Sequence, residues 1–478
     1  MIVPMAVPMD DTMGDSPKHF CGIVAMSSNA DVKYDIKKAL RVIQHRGQEA
    51  TGIAIHDGNS IKYVRRMGLV HEVLIGPEYD AMGGNIGIGH VRYSTTGTSC
   101  AQDCQPIVVT TNVGDAAIGH NGDLVNAAKL RTKLQNYGWA FLTNTDSEII
   151  IRMLATELTQ NSDPIKAIRT VMRNLDGAYA LVFMVGKRVF GARDPLGLRP
   201  LCIGKLENGY SIASESAVFD ILQGDFVRDV APGEIVEITP SGFTSHQATT
   251  HPHTAHCMFE WVYFARPDSI IDGREVYDVR KKLGQTLARE QPVIADVVIP
   301  VPDSGRANAL GYAQESGIMY EEGLMKNRYV ERTFILPDQS KREEGVSLKL
   351  NPIRSTIVDK RVVVVDDSIV RGTTLRKIVQ MLRHAGAKEV HVRIGCPPII
   401  APCYYGVDMK TRDYFIAAGR TFDEIAELIG ADSVGYTSVK GLRDSLDLSE
   451  QDLCMACLTA EYPTCVPGER MRFQKTLI

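Results

Sequence analysis

The chain of 478 residues contains no window of about 20 uninterrupted apolar residues, the length that a membrane-spanning helix needs, so no membrane partner is expected. Its first twenty residues, MIVPMAVPMDDTMGDSPKHF, lack the basic start and long apolar middle of a secretory signal. Pro4 and Pro8 break the apolar stretches, which then turn acidic; residues 1–20 read as a leader that is removed, and the protein as cytoplasmic. There is no basic excess either. Lys and Arg number 53 against 57 Asp and Glu, a net charge of -4, and that argues against a nucleic-acid partner, whose binding surface normally shows as a basic excess or cluster. A small anion in a locally positive pocket stays compatible with this balance. Repeats and low-complexity segments are missing. The ten cysteines include a single tight CxxC pair, which disfavours a disulfide framework and turns attention to catalysis and metal binding.

What is present is an ordinary globular composition, 44% hydrophobic and 23% charged, in a chain longer than one compact core usually supports, so two domains are expected. From Cys21 to about His256, short β-type runs dominate, at residues 22–25, 116–119, 179–185 and 234–238. Two stretches, 35–43 and 146–158, carry apolar residues every three to four positions and predict helices outside layered sheets. After His256 the rhythm becomes strand, loop, helix: 297–301, 302–306 and 307–316, then 361–365, 366–372 and 373–385. That alternation predicts a parallel sheet with helices on its faces. Residues 326–354 are polar, charged and broken by Pro337 and Gly345, and read as a long loop of the functional-lid or disordered kind.

Cys21-Gly22-Ile23-Val24 follows the leader and opens a strand. With the leader removed there, the α-amino group of Cys21, of reference pKa about 7.7–8.0, lies beside its own thiol and can take its proton. A lone cysteine is more often a buried structural residue. Cys21 has company: His45-Arg46-Gly47-Gln48-Glu49, Gly89-His90-Val91-Arg92-Tyr93-Ser94-Thr95, His120-Asn121-Gly122-Asp123 and Asn144-Thr145-Asp146-Ser147-Glu148 follow in order. Together these motifs resemble the class II glutamine amidotransferases, from Cys21 to about residue 250. The resemblance implies an N-terminal-nucleophile fold, a four-layer αββα sandwich, in which Cys21 attacks the side-chain amide of glutamine. It implies that Arg92 pairs with the α-carboxylate, as a guanidinium fork suits a planar anion, and that Asp146 takes the α-ammonium. Asn121 and Gly122 would hold the oxyanion of the tetrahedral intermediate, and Arg46 and Gly47 would line the same pocket. Ala25 stands where many relatives have glycine.

A second constellation begins after the apolar residues 361–365, in Asp366-Asp367-Ser368-Ile369-Val370-Arg371-Gly372-Thr373-Thr374. A strand that delivers two carboxylates and then a turn of small and hydroxyl residues before a helix suits a phosphorylated sugar. Carboxylates meet ribose hydroxyls and hydrated Mg²⁺, and backbone N–H groups at the helix start cradle phosphate. Such ligands bind at the carboxyl ends of parallel strands. The string resembles the phosphoribosylpyrophosphate loop of type I phosphoribosyltransferases, which implies a doubly wound parallel sheet, α/β after the α+β first domain. Pro302-Asp303-Ser304-Gly305-Arg306 resembles their pyrophosphate loop, and Lys326-Asn327-Arg328-Tyr329 the start of their closing flexible loop. The resemblance implies Mg²⁺ near Ser304, Asp366 and Asp367, with Asp303, Lys326, Arg328, Ser368, Arg371, Gly372, Thr373 and Thr374 around the substrate.

Joined in one chain, the two halves are similar to the amidophosphoribosyltransferase family. That implies domains at 21–255 and 256–450 with a tail at 451–478, and ammonia released at Cys21 travelling internally to displace pyrophosphate from phosphoribosylpyrophosphate. Phosphoribosylamine would result, the opening step of purine synthesis, with purine nucleotides as feedback inhibitors and a homodimer or homotetramer as the assembly. Another class II amidotransferase with a different acceptor would have no use for the string from Asp366 to Thr374. A protein that merely senses phosphoribosylpyrophosphate would have none for Cys21 and its pocket.

Cys454-Met455-Ala456-Cys457 can hold a metal from one turn, but two thiolates do not complete a site. Cys257 and Cys403, the latter in Ala401-Pro402-Cys403-Tyr404-Tyr405-Gly406, resemble the partners used by relatives with an iron–sulfur cluster. Four thiolates suit a [4Fe–4S] cluster or structural zinc, and spacing leaves both open; the resemblance implies the cluster. Cys396 is a rival ligand by its position, and Cys100, Cys104, Cys202 and Cys465 read as ordinary thiols.

Overall fold

The structure is a computed structural model and describes residues 21–93, 100–327, 350–409, 411–412 and 415–471. The leader, Arg328 and most of the expected loop at 326–354 lie outside the described residues. Among the described residues no helix is long and apolar enough to cross a membrane. They divide into two compact units. One holds 21–276 together with 402–409 and 448–471; the other holds 277–327, 350–401, 411–412 and 415–447. Residues 256–276 and the tail, set apart from the first domain in the sequence reading, thus cluster with it.

The first unit is built on two antiparallel sheets. The seven-stranded sheet runs Asp225–Asp229, Cys202–Leu206, Gly209–Ala213, Gly22–Ser28, Ile86–Arg92, Ala50–His56, Ile61–Met67. The six-stranded sheet runs Gly242–Gln247, Glu234–Thr239, Arg188–Arg193, Gly177–Val185, Gly114–Leu124, Ile107–Thr111. Side chains alternate across a strand, and Gly22–Ser28 shows the consequence: Ile23 and Ala25 join the core between the sheets, with Ile88, Val182 and Ile212. Val24 and Met26 point the other way, into a second core with Ile36 and Leu40 of the helix Lys33–Val42. A third core lies on the outer face of the second sheet, where Ile118, Leu181 and Phe183 meet Ile150, Leu154 and Leu158 of Asp146–Gln160 and Ile168 of Pro164–Asn174. Three cores between four layers are the expected αββα sandwich. The strands Gly22–Ser28, Ala50–His56 and Gly177–Val185 are buried along their whole length, whereas the edge strands Ile61–Met67 and Gly242–Gln247 carry exposed polar residues. The helix Pro164–Asn174 escaped the sequence reading, although Pro164 at its first position and Asp163, whose carboxylate accepts from the Ile165 N–H, mark its start.

The second unit carries a parallel sheet in the order Val297–Pro300, Arg361–Asp366, Glu389–Ile394, Ser433–Tyr436. Val362, Val363, Val364 and Val365 are all fully buried, each contributing about 1.5–3 kcal/mol from removal of its side chain from water. Val363 and Val365 pack with Val298, Leu287 and Tyr312; the intervening valines face the opposite side, as strand geometry requires. Helices Arg306–Ser316 and Thr373–His384 follow their strands as the alternating pattern predicts. At the described ends of the expected long loop, Leu324–Lys326 pairs with Leu350–Pro352 as a two-stranded ribbon.

Candidate active sites

Cys21 sits at the head of the central strand Gly22–Ser28, and the register pairs Gly22 with Val91, which brings Arg92 to its side. Its thiol donates to the Tyr93 carbonyl at 3.7 Å. Burial pushes the thiol pKa up, against the opposing pull of that carbonyl contact and of Arg92. The neutral thiol therefore prevails and needs a base. Around it lies a cavity of about 460 Å³, which Arg92, Asp103, His120, Asn121, Gly122 and Asp146 help to line.

The cavity carries charges of both signs. Arg92, itself buried, stands 3.6 Å from Asp103. Asp146 opens the helix Asp146–Gln160, where the N-terminal dipole favours a carboxylate. Burial works to raise its pKa, but His120, 3.3 Å away, and the N–H groups of Leu124 and Ser147 hold it below the usual value. Asn121 is fully buried, and its side-chain nitrogen and oxygen have no hydrogen-bond partner among the described residues. A buried amide without a partner costs about 1–3 kcal/mol, and this one lines the cavity beside Cys21. His90 is buried and held neutral, its pKa pushed down to about 3 by desolvation.

Gly122 has a φ of +150°, and a Cβ there would lie 2.0 Å from the Ala178 carbonyl oxygen. Gly122→Ala is therefore expected to destabilise the unit by about 1–3 kcal/mol or more, read as a lower melting temperature. Gly47 lies under the site: a Cβ would come within 2.4 Å of the Val91 backbone. Arg46 also stands beneath the cavity and not in its lining. It is bound to Glu215 and Glu260, and its Nε donates to the Cys21 carbonyl at 3.3 Å. The sequence reading had no sign of Asp103, Glu215 or Glu260. His120 stood within a quoted motif, where its contact with Asp146 was not foreseen.

In the second unit, Asp366 ends its strand and Asp367 begins the turn into Thr373–His384. Both carboxylates are buried. Burial pushes Asp367 up, and hydrogen bonds from Ser304 and Ser368 and the charge of Arg280 oppose this. Ser304 and Asp366 are thus both in hydrogen-bonding reach of Asp367, hard oxygen donors of the kind that Mg²⁺ takes. Ser368 donates to Asp367 Oδ1 at 2.7 Å. Gly372 caps the helix with φ +82°, where a Cβ would meet Ile416 Cδ1 at 2.4 Å, and Thr373 and Thr374 form the first turn, with Arg371 just before. A tight turn into a helix N-terminus is a phosphate cradle. Asp303, whose peptide with Pro302 is cis, binds Arg306 at 2.7 Å and Lys326 at 2.7 Å. Arg280, buried on the helix Val276–Glu290, was not foreseen.

The four candidate cluster cysteines fall in the first unit, contributed by three separate stretches of chain. Cys257 pairs with Cys454 between two short parallel strands, and Cys457 follows in the next turn. All four are buried. Desolvation, then the neighbouring thiols, push Cys454 up; desolvation likewise raises Cys257 to about 11, with Glu260 and Cys403 adding to it. Among the described residues, no three His, Cys, Asp or Glu side chains converge as they would on a single ion. Cys396 lies in the other unit, near Asp367.

Comparison with known proteins agrees with both halves. A glutamine amidotransferase domain model matches residues 90–220, and a phosphoribosyl transferase domain model matches 270–396. The amidophosphoribosyltransferase of Methanocaldococcus jannaschii is 50% identical over 468 residues, covering 94% of this chain and 99% of that protein. That of Archaeoglobus fulgidus is 51% identical over 429 residues, covering 89% and 94%. Among solved structures, the glutamine phosphoribosylpyrophosphate amidotransferase of B. subtilis, complexed with ADP and GMP, superposes with a TM-score of 0.86 at 42% identity, covering 96% of this chain and 99% of that one. With Cys21, Arg92 and Asp146 around one cavity in one unit, two carboxylates before a helix start in the other, and relatives of this identity along nearly its whole length, the chain belongs to the amidophosphoribosyltransferase family.

Proposed function

We propose that Cys21, freed as an N-terminus by removal of residues 1–20, hydrolyses glutamine, and that the ammonia aminates phosphoribosylpyrophosphate at the site around Asp366 and Asp367. The reaction yields 5-phosphoribosylamine, glutamate and pyrophosphate, and belongs to purine biosynthesis. The observation that carries the glutaminase half is the buried Asn121 amide, without a hydrogen-bond partner among the described residues, in the cavity that holds Cys21, Arg92 and Asp146.

Arg92 receives the α-carboxylate of glutamine and Asp146 its α-ammonium, which leaves the side-chain amide toward Cys21. The α-amine of Cys21 takes the thiol proton as sulfur attacks the amide carbon. Asn121 Nδ2 and the Gly122 N–H donate to the oxygen as it becomes negative. Collapse of the intermediate expels ammonia, with the proton returned to it, and water then releases glutamate from the thioester. Asn121→Ala is expected to lower the glutaminase kcat about 100- to 1,000-fold with a smaller change in KM, measured as glutamate formed from glutamine alone. A loss confined to KM would contradict the oxyanion role.

In the second unit, backbone N–H groups from Arg371 to Thr374 hold the 5-phosphate while Asp303, Lys326 and Arg328 attend the pyrophosphate. Bound at Ser304, Asp366 and Asp367, Mg²⁺ would neutralise charge building on the departing pyrophosphate. The ammonia nitrogen forms its bond to C1 as the C1–oxygen bond breaks. Cys257, Cys403, Cys454 and Cys457 would be the thiolates that hold a [4Fe–4S] cluster of structural role. Burial of neutral thiols means that loading releases protons and stabilises the fold. Anaerobically purified protein is expected to be brown and to bleach in air; a colourless, zinc-loaded protein would contradict the cluster. Purine nucleotides as feedback inhibitors and a dimeric or tetrameric assembly complete the reading. Glutamine-dependent release of pyrophosphate, followed with purified protein, tests it as a whole.

A further inference from the structure

Arg46, 1% exposed, is fixed by two carboxylates and a carbonyl. Its Nη1 donates to Glu215 Oε1 at 2.6 Å and to Glu260 Oε2 at 3.0 Å, its Nη2 to Glu260 Oε1 at 2.8 Å, and its Nε to the Cys21 carbonyl at 3.3 Å. Glu215 is held on further sides, by His45 Nε2 at 2.7 Å, the Arg266 N–H at 2.9 Å and the Ser269 hydroxyl at 2.9 Å. Glu260 meets a second cation, Arg199, whose Nη1 donates to it at 3.4 Å. Arg199 is fully buried, and its Nε, at 3.1 Å, and Nη2 both donate to the Tyr405 carbonyl. The Tyr405 N–H donates to Cys403 Sγ at 3.4 Å, and the next residue, Gly406, lines the Cys21 cavity.

Two buried arginines thus balance two buried glutamates in a line from the Cys21 backbone to the stretch carrying Cys403. Removal of one member leaves the others with an uncompensated buried charge. The consequence for chemistry follows from what a chain terminus lacks. An N-terminal residue has no preceding peptide to fix it, so its carbonyl is the backbone acceptor nearest its amine and thiol. Whatever holds that oxygen sets the position of both reacting groups. We propose that Glu260 and Arg199 are positioning residues for Cys21, acting through Arg46, and that they tie the nucleophile to the 402–409 stretch through the Tyr405 carbonyl.

The proposal rests on the reading of Cys21 as nucleophile. It is tested in the full-length protein with Glu260→Gln, which keeps shape and removes charge, and with Arg199→Lys, which keeps charge and removes the planar fork. Glu260→Gln is expected to lower the glutaminase kcat about 10- to 100-fold with the KM for glutamine within about threefold, since misplacement by an ångström costs on that scale. Arg199→Lys is expected to lose less, about 3- to 10-fold, as a conservative replacement that partly rescues the contact. In both, synthesis from free ammonia persists, and the pH midpoint for alkylation of Cys21 by iodoacetamide moves from that of the parent. Parental glutaminase kcat and alkylation profile in both variants would overturn the proposal. So would a parallel loss of glutamine- and ammonia-dependent synthesis in both, which would mark a general packing role. If alkylating Cys21 in the parent leaves glutaminase intact, the nucleophile assignment itself fails. If alkylation abolishes it while both variants keep parental kcat, only the positioning role fails.

Discussion

Replacing Cys21 with alanine is expected to abolish glutamine-dependent phosphoribosylamine formation, by about 10⁴-fold or more, while synthesis from free ammonium salts continues. The size of the effect follows from the chemistry: without the sulfur no covalent intermediate forms, and the Asn121 and Gly122 donors have no oxyanion to stabilise. The persistence of the ammonia reaction follows from the division of labour. Cys21 and its cavity belong to one compact unit, and Asp366, Asp367 and Ser304 to the other. Pyrophosphate release with glutamine and with ammonia, measured side by side, checks both halves. Loss of both together would mean that Cys21 acts on the wrong half of the reaction for this account.

The converse change should have the converse signature. Asp366→Asn together with Asp367→Asn is expected to cut synthesis with either nitrogen source by about 10³-fold, the scale of the several kcal/mol that a metal ion supplies to a charged transition state. Glutaminase measured with glutamine alone should survive. The fold has reason to tolerate the change. Burial already pushes the Asp367 pKa up, so its carboxylate is costly to keep charged without a cation, and an amide of the same shape removes that cost. A melting temperature at or above that of the parent would accompany the lost activity. A normal rate of pyrophosphate release from the double variant would exclude these carboxylates from the transferase site.

The parts of the molecule that could be read from sequence are those whose chemistry is local in the chain. The turn from Asp366 to Thr374 supplies carboxylates, hydroxyl, glycine and helix start within one string, and the structure keeps them together. Two strand and helix pairs of the second unit were likewise legible, Val297–Pro300 with Arg306–Ser316 and Arg361–Asp366 with Thr373–His384, each a short apolar run followed by a helical period; the strands Glu389–Ile394 and Ser433–Tyr436, shorter or interrupted by charge, were not. The support of the glutaminase site was not. Glu215 and Glu260 stand 169 and 214 residues from Arg46, and no short-range pattern connects them. Arg46 was for this reason expected in the pocket lining, when its guanidinium is turned beneath it, toward those carboxylates and the Cys21 carbonyl. Asp103 was hidden similarly: it meets Arg92 through space, from a short turn that carries no motif. The short helix Ala217–Ile221 and the strands at Asp225–Asp229 and Cys202–Leu206 lacked the length for a periodic signal and were set by packing.

The central claim is that Cys21 works as a free N-terminal residue, its own α-amine serving as base for a thiol that burial keeps neutral. The intact mass of the active, purified enzyme tests this directly. The account predicts a mature chain that begins at Cys21 with residues 1–20 absent; an enzyme fully active with glutamine while Cys21 remains joined to Phe20 by a peptide bond would contradict it.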